Sequence, residues 1–343
     1  MRNKYSTLKY SVLLVDDIKE NLDILNEILK DEYKIKAATN GETALRIAEQ
    51  FKPDIILLDI IMPGMDGYEV CQRLKENPIT RKIPVIFVTA KDEDVDEARG
   101  FELGAADYIS KPIRSLIVKS RVRTQLALSH QMYELSKQVN KRTLELKKTQ
   151  VEVIKILGRA SEFKDNETGM HVVRVGEYSY TIAKAMGLDQ EISEIIRDAS
   201  KLHDVGKLGI PDSILKKPGR LEPEEYELIK RHSEIGANII KNQDSELLKV
   251  AKIIALQHHE RVDGAGYPNK LKGSEISLYA KIVALTDVFD ALTSKRPYKE
   301  AWEFDRAVDY IRMERDKQFD KTVVDAFIKS LEQIRMIHDR FRE

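Results

Sequence analysis

The sequence predicts a multi-domain chain in which an α/β, doubly wound five-stranded parallel module is joined by one long connecting helix to an all-α domain. Three observations predict it. Five short apolar runs alternate with helix-period stretches over the first 112 residues. A charged run free of glycine and proline reaches from Ile113 to Leu157, and beyond residue 161 no stretch sustains the two-residue alternation of a strand. The 343 residues suffice for two cores of ordinary size.

The strand candidates are Ser11–Val15, Lys34–Ala38, Ile55–Leu58, Val85–Thr89 and Asp107–Ile109. A doubly wound sheet collects ligands at the carboxyl ends of its strands, and polar residues fall there. Asp16 and Asp17 follow the first strand, Asp59 ends the third, Thr89 ends the fourth, and Lys111 follows the fifth. Three carboxylates at one point repel one another unless a hard cation neutralises them, and Mg²⁺ suits oxygen ligands. A lysine and a hydroxyl in the same pocket suit a phosphoryl group carried on one carboxylate.

On Val15-Asp16-Asp17, Leu58-Asp59-Ile60-Ile61-Met62-Pro63-Gly64-Met65-Asp66-Gly67, Val88-Thr89-Ala90 and Ser110-Lys111-Pro112, the segment 10–125 resembles the receiver domain of bacterial response regulators. The resemblance implies that Asp59 accepts phosphate from a histidine kinase. It also implies that Asp16, Asp17 and the Ile61 carbonyl hold Mg²⁺, that Thr89 and Lys111 contact the phosphoryl group, and that Tyr108 is the aromatic coupled to Thr89.

The connecting helix, 113–160, carries the register Leu128, Met132, Leu135, Val139, Arg142, Leu146, Thr149, Val153 and Ile156, in alternating steps of four and three. That is the spacing of a coiled-coil seam as well as of a helix packed on its own protein. Its length between two domains favours a parallel homodimer.

In the region 161–343 the chemistry rests on histidines and carboxylates. Five of the seven histidines fall between His171 and His259. One histidine on a helix is usually an ordinary polar residue; five near helix ends with carboxylates beside them suit a metal cluster. Glu167 and His171 are spaced to share a helical face. The neighbours His203-Asp204 and His258-His259 diverge by about 100° if helical, which lets them reach two ions. Asp204 is placed to bridge two cations, Lys207 lies close by, and His232 is expected in the helix announced by Glu222-Pro223-Glu224, with Asp287 closing the shell. Imidazole and carboxylate ligands admit Fe, Mn, Ni, Co or Zn. Cys71 lies outside this region, which excludes a thiolate zinc site in it.

Through His203-Asp204-Val205-Gly206-Lys207, Ile229-Lys230-Arg231-His232, His258-His259-Glu260-Arg261-Val262-Asp263-Gly264-Ala265-Gly266-Tyr267-Pro268 and Arg296-Pro297-Tyr298-Lys299, residues 150–335 resemble the HD-GYP phosphodiesterases, whose fold is an all-α HD-type helical domain. The resemblance implies hydrolysis of cyclic di-GMP to pGpG or GMP at a site of two or three divalent transition metals, Fe or Mn before Ni, Co or Zn. Glu167, His171, His203, Asp204, His232, His258, His259 and Asp287 match metal ligands, Glu167 being the position associated with a third ion. Lys207 matches the lysine at the scissile phosphate, Tyr267 a substrate-pocket tyrosine, and Arg296 and Lys299 the phosphate grip. Two positions depart from the pattern. Lys270 precedes Leu271 where the family often has glycine, and Ser277 stands where proline is common.

Two alternatives stay open beside this reading: a catalytically weak cyclic dinucleotide sensor signalling through partners, and an HD hydrolase of another cyclic dinucleotide. Lys+Arg and Asp+Glu are equal at 57 each, so no bulk field favours DNA or an anionic membrane. The single cysteine, the absence of an apolar leader and the lack of roughly 18 consecutive apolar residues predict a cytoplasmic protein.

Overall fold

The computed structural model describes residues 10–90, 94–165, 169–241, 244–295 and 300–342. It divides into two compact units, Met1–Thr143 and Leu144–Glu343.

In the first unit, β1 (Ser11–Val15), α1 (Lys19–Leu29), β2 (Lys34–Ala38), α2 (Gly41–Phe51), β3 (Ile55–Asp59), α3 (Gly67–Glu76), β4 (Val85–Ala90), α4 (Asp94–Glu102) and β5 (Asp107–Lys111) alternate. The five strands pair in parallel in the order β2-β1-β3-β4-β5, the predicted doubly wound sheet. Alternation along β1 and β3 sends Leu13, Val15, Ile56 and Leu58 to one face, where Val70, Cys71 and Leu74 of α3 cover them. Val12, Leu14, Ile55 and Leu57 go to the other, under Leu22, Leu25 and Leu29 of α1. Asn40 and Asp66 start α2 and α3 by accepting the N–H of Thr43 at 2.9 Å and of Glu69 at 2.8 Å. The last three strands outrun their sequence-expected ends, so Asp59 and Lys111 are strand residues held by sheet pairing.

Helix α5 spans Ser115–Lys164. Its first turns add Val118, Val122 and Leu126 to the sheet's second face. The apolar seam positions from Leu128 to Ile156 are exposed. Near its end Ile154 enters the core of the second unit.

The second unit is helical: α6 (His171–Ala185), α7 (Gln190–Ala199), α8 (Asp212–Leu215), α9 (Pro223–Lys230), α10 (His232–Ile240), α11 (Glu246–Gln257), α12 (Leu278–Thr293), α13 (Phe304–Met313), α14 (Lys321–Lys329) and α15 (Leu331–Arg340). Tyr178, Phe289, Phe319 and Phe327 are fully buried among α6, α12 and α14. Helix α6 opens on His171 and α10 on His232, α11 ends just before His258, and α12 carries Asp287.

Two helical expectations are corrected here. His203-Asp204 lies between two short 3₁₀ turns, Ser200–Leu202 and Val205–Gly209, and Asp204 (φ −101°, ψ 11°) sits in the sparsely populated bridge region. His232 belongs to no helix begun by Pro223, because α9 stops at Lys230 and His232 opens α10. The reason is backbone proximity: a Cβ on Gly206 would lie 1.9 Å from the His232 carbonyl oxygen, so the loop and the start of α10 touch through main chain.

Candidate functional site

At the carboxyl edge of the sheet, Asp16, Asp17 and Asp59 each place an oxygen within 4.8 Å of the others. Lys111 Nζ reaches Asp59 Oδ1 at 3.0 Å and Asp16 Oδ2 at 3.1 Å. Burial pushes the Asp59 carboxyl up, with Lys111 opposing and Asp16 reinforcing. Burial also works against the Lys111 ammonium, but Asp59 and Asp16 outweigh it and raise that group. One lysine against three carboxylates leaves an excess of negative charge that a hard cation fits. Asn21, which sequence reasoning missed, donates to both Asp16 oxygens at 3.0 and 2.9 Å and fixes that carboxylate. Gly67 packs so closely that a Cβ would come within 2.2 Å of the Asp59 carbonyl. Thr89 donates its hydroxyl to the Ala90 carbonyl at 3.1 Å, and Ile61 is exposed on the loop after Asp59. The Tyr108 ring is turned into the core, 5.5 Å from Phe87 and 5.0 Å from Phe101.

In the helical unit, two potential ligand sets share Asp204. One is Asp204, His232, His258 and His259; the other is His171, His203 and Asp204. Asp287 Oδ1 lies 3.4 Å from His171 Nε2 and 3.7 Å from His203 Nε2. Four imidazoles are oriented by bonds at Nδ1. His203 donates to the Ser200 carbonyl at 2.8 Å, His232 to the Ile229 carbonyl at 2.7 Å, and His258 to the Ile254 and Ala255 carbonyls at 3.1 Å; His171 bonds the Asp290 carboxylate at 2.8 Å. With the proton held on Nδ1, each Nε2 presents its lone pair to the centre.

A metal fits this arrangement. Among the described residues, the buried His203 Nε2 and Asp204 Oδ1 have no hydrogen-bond partner. His232 Nε2 is 3.2 Å from that oxygen, but its proton resides on the opposite nitrogen. His232 Nε2 and His258 Nε2 also face each other at 3.4 Å, lone pair to lone pair, which a shared cation relieves. Burial holds the His258 and His259 imidazoles low, hence neutral, as ligation requires. Burial disfavours charge on His203 too, yet the Asp204 and Asp287 carboxylates outweigh it and raise that imidazole. Asp204 is pushed up by burial and brought well below the usual carboxylate range by Lys207 and His203.

Lys207 Nζ bonds Asp204 Oδ2 at 2.8 Å and Asp165 Oδ2 at 2.5 Å. Tyr267 lies over His259, with ring centroids 4.7 Å apart and planes 31° apart. Its loop is braced by buried Glu260, which accepts the N–H of Asn269 at 2.7 Å and of Leu271 at 3.0 Å. The departure at Lys270 therefore leaves the loop's bracing to main chain, although Lys270 adopts φ 55°, a conformation glycine reaches more easily. At Ser277 the N–H donates to Gln257 Oε1 at 2.9 Å, a bond proline would remove. Glu167, Arg296 and Lys299 lie outside the described residues.

Sequence reasoning missed the support around these groups. Asp290, one turn beyond Asp287 on α12, accepts from Arg174 Nε at 2.7 Å and Nη2 at 2.9 Å as well as from His171. Its spacing of three from Asp287 was the available signal. No spacing announces the grip of the α5 end on the loop after His203. There Ser161 Oγ donates to the Asp204 carbonyl at 2.5 Å, and Lys164 Nζ donates to the carbonyls of Leu208 at 2.8 Å and Ile210 at 2.6 Å.

Comparison with known proteins agrees with a receiver domain followed by an HD domain. A model of the response regulator receiver domain matches residues 12–123, and one of the HD domain matches residues 124–323. A probable cyclic di-GMP phosphodiesterase of Vibrio cholerae is 40% identical over 339 residues, 93% of this chain and 77% of that protein. The cyclic di-GMP phosphodiesterase response regulator RpfG of Xanthomonas campestris is 37% identical, over 97% of this chain and 91% of its own length. A 3'3'-cGAMP-specific phosphodiesterase of Vibrio cholerae is 40% identical over 54% of this chain and 36% of its own.

Proposed function

The chain belongs to the response regulators that join a receiver domain to an HD domain, and on that premise we propose that it is a metal-dependent phosphodiesterase that hydrolyses cyclic di-GMP to pGpG or GMP under control of Asp59 phosphorylation. The observation that carries the reading is Asp204, whose carboxylate is common to two sets of ligands with inward-facing nitrogens. His171, His203, Asp204, His232, His258, His259 and Asp287 hold two ions, with Glu167 assigned to a third. Fe or Mn come first, and Ni, Co or Zn are admitted by the same nitrogen and oxygen donors. Such ions supply Lewis acidity and an activated water.

The chain's own groups do the positioning. Backbone carbonyls accept from Nδ1 of His203, His232 and His258, so each Nε2 is turned toward the ions. The Lys207 ammonium, placed 2.8 Å from Asp204, stabilises charge developing on the phosphoryl oxygens. Tyr267 lines the pocket, and Arg296 and Lys299 take the substrate's phosphates. In the receiver, Asp16, Asp17 and the Ile61 carbonyl hold Mg²⁺, Asp59 takes phosphate from a histidine kinase, and Thr89, Tyr108 and Lys111 respond to it. The exposed seam from Leu128 to Ile156 pairs with a second copy. Movement of α5 then reaches the Asp204 loop through Ser161 and Lys164. Among the described residues no helix is long and apolar enough to cross a membrane.

Turnover of cyclic di-GMP by purified chain loaded separately with each metal tests the proposal. Hydrolysis that disappears in Asp204→Ala together with bound metal is expected. Binding of the dinucleotide with no hydrolysis under any of the metals refutes it and favours a sensor.

A further inference from the structure

Beside the metal centre, the first and last turns of α9 and the Tyr267 loop build an aromatic and cationic wall, of which Tyr226 and Lys230 on α9 have been given no ligand role. Lys230 Nζ stands 4.9 Å from the centroid of the Tyr226 ring and 5.7 Å from that of the Tyr267 ring. Tyr267 in turn lies over His259, so the wall runs outward from a candidate ligand through an ammonium to a second ring. Tyr226 is 49% exposed, so part of its ring is open to a ligand. The ammonium is steadied by Glu227 Oε1 at 2.5 Å, and the glutamate is itself well exposed.

A cyclic dinucleotide presents two kinds of surface. Its phosphates belong at the metals, and each base then extends from the centre along the enclosing wall. Purines offer flat π faces, for which a tyrosine ring is a stacking partner regardless of base identity. Guanine also offers the adjacent acceptors O6 and N7, which suit a lysine donor, whereas adenine replaces O6 by an amino group that repels one.

We propose that Tyr226 and Lys230 form a guanine subsite at the rim of the metal centre, Tyr226 by stacking on the base and Lys230 by donating to O6 and N7. This rests on the reading of cyclic di-GMP as substrate. Tyr226 therefore sets affinity, and Lys230 sets the preference for guanine over adenine.

The test compares kcat and KM of the metal-loaded full chain for cyclic di-GMP and for cyclic di-AMP, which has no guanine to place in the subsite. Tyr226→Leu, which keeps apolar volume on an exposed helix position, is expected to raise KM for cyclic di-GMP about tenfold with little change in kcat, and Tyr226→Phe to restore it. Lys230→Met is expected to lower the cyclic di-GMP to cyclic di-AMP ratio of kcat/KM by about fivefold or more. A structural role would lower both substrates alike and leave that ratio in place. An unchanged KM in Tyr226→Leu, or an unchanged ratio in Lys230→Met, overturns the subsite while hydrolysis by the parent chain stands. Failure of the parent chain to hydrolyse either dinucleotide overturns the functional reading and the subsite with it.

Discussion

Replacing Asp290 by asparagine keeps the side chain's shape and removes its charge. In the folded protein this carboxylate accepts from Arg174 Nε at 2.7 Å and Nη2 at 2.9 Å, from His171 Nδ1 at 2.8 Å and from Ser294 Oγ at 3.2 Å. An amide has one oxygen, so at least one of these donors meets an NH₂ group and the buried Arg174 loses the charge of Asp290. Breaking a buried pair from one side costs about 3–5 kcal/mol, and the retained oxygen places the loss at the lower end. With a urea dependence of about 2 kcal/mol/M, a loss of ~3 kcal/mol moves the unfolding midpoint by about 1.5 M. His171 also exchanges a carboxylate partner for a neutral amide, which weakens the hold on its tautomer and lowers metal affinity about 10–100-fold.

Trp302 is the chain's one tryptophan and packs in the helical unit, its ring 5.8 Å from Tyr310, so its fluorescence follows that unit alone. Chelator competition gives the metal affinity. The pH dependence has a definite sign. Burial alone would raise the Asp290 carboxyl, but His171 and Arg174 hold it well below the ordinary range. Its stabilisation is present above about pH 4, the unfolded value, and is lost as pH falls through the depressed folded value. The deficit of Asp290→Asn should therefore be full near neutrality and shrink below about pH 4. An unchanged midpoint together with unchanged metal affinity would refute the role given to Asp290.

Lys164→Met removes the bonds to the Leu208 and Ile210 carbonyls and should cut the ratio of phosphodonor-stimulated to unstimulated turnover by about threefold or more; an unaltered ratio in acetyl phosphate assays counts against signalling through the end of α5. Lys270→Gly relieves a left-handed conformation at a cost in unfolded-chain entropy, for a net gain of about 0.5–1 kcal/mol in urea titrations followed by Trp302. Gly206→Ala places a Cβ 1.9 Å from the His232 carbonyl and should displace the Asp204 loop, with loss of bound metal measured by elemental analysis.

The pattern of residues was enough for the doubly wound sheet, because strand alternation and strand-end polar residues are local signals. It also exposed Asp59 and the His203-Asp204 pair, whose chemistry is unusual at short spacing. Local spacing failed where main chain from distant segments meets. The close approach of Gly206 to His232 breaks the helix expected at His203 and starts a new one at His232. Arg174 and Asp290 are separated by 116 positions and share no periodicity, so only packing of α6 on α12 could pair them. The same holds for Lys207 with Asp165, and for the wall that joins Tyr226 and Lys230 to Tyr267. Residue identity determined which groups were able to bind metal or phosphate. Tertiary packing decided which nitrogens face inward, which charges are neutralised by burial partners, and which aromatic faces remain open, because these depend on three-dimensional proximity that a sequence period does not encode.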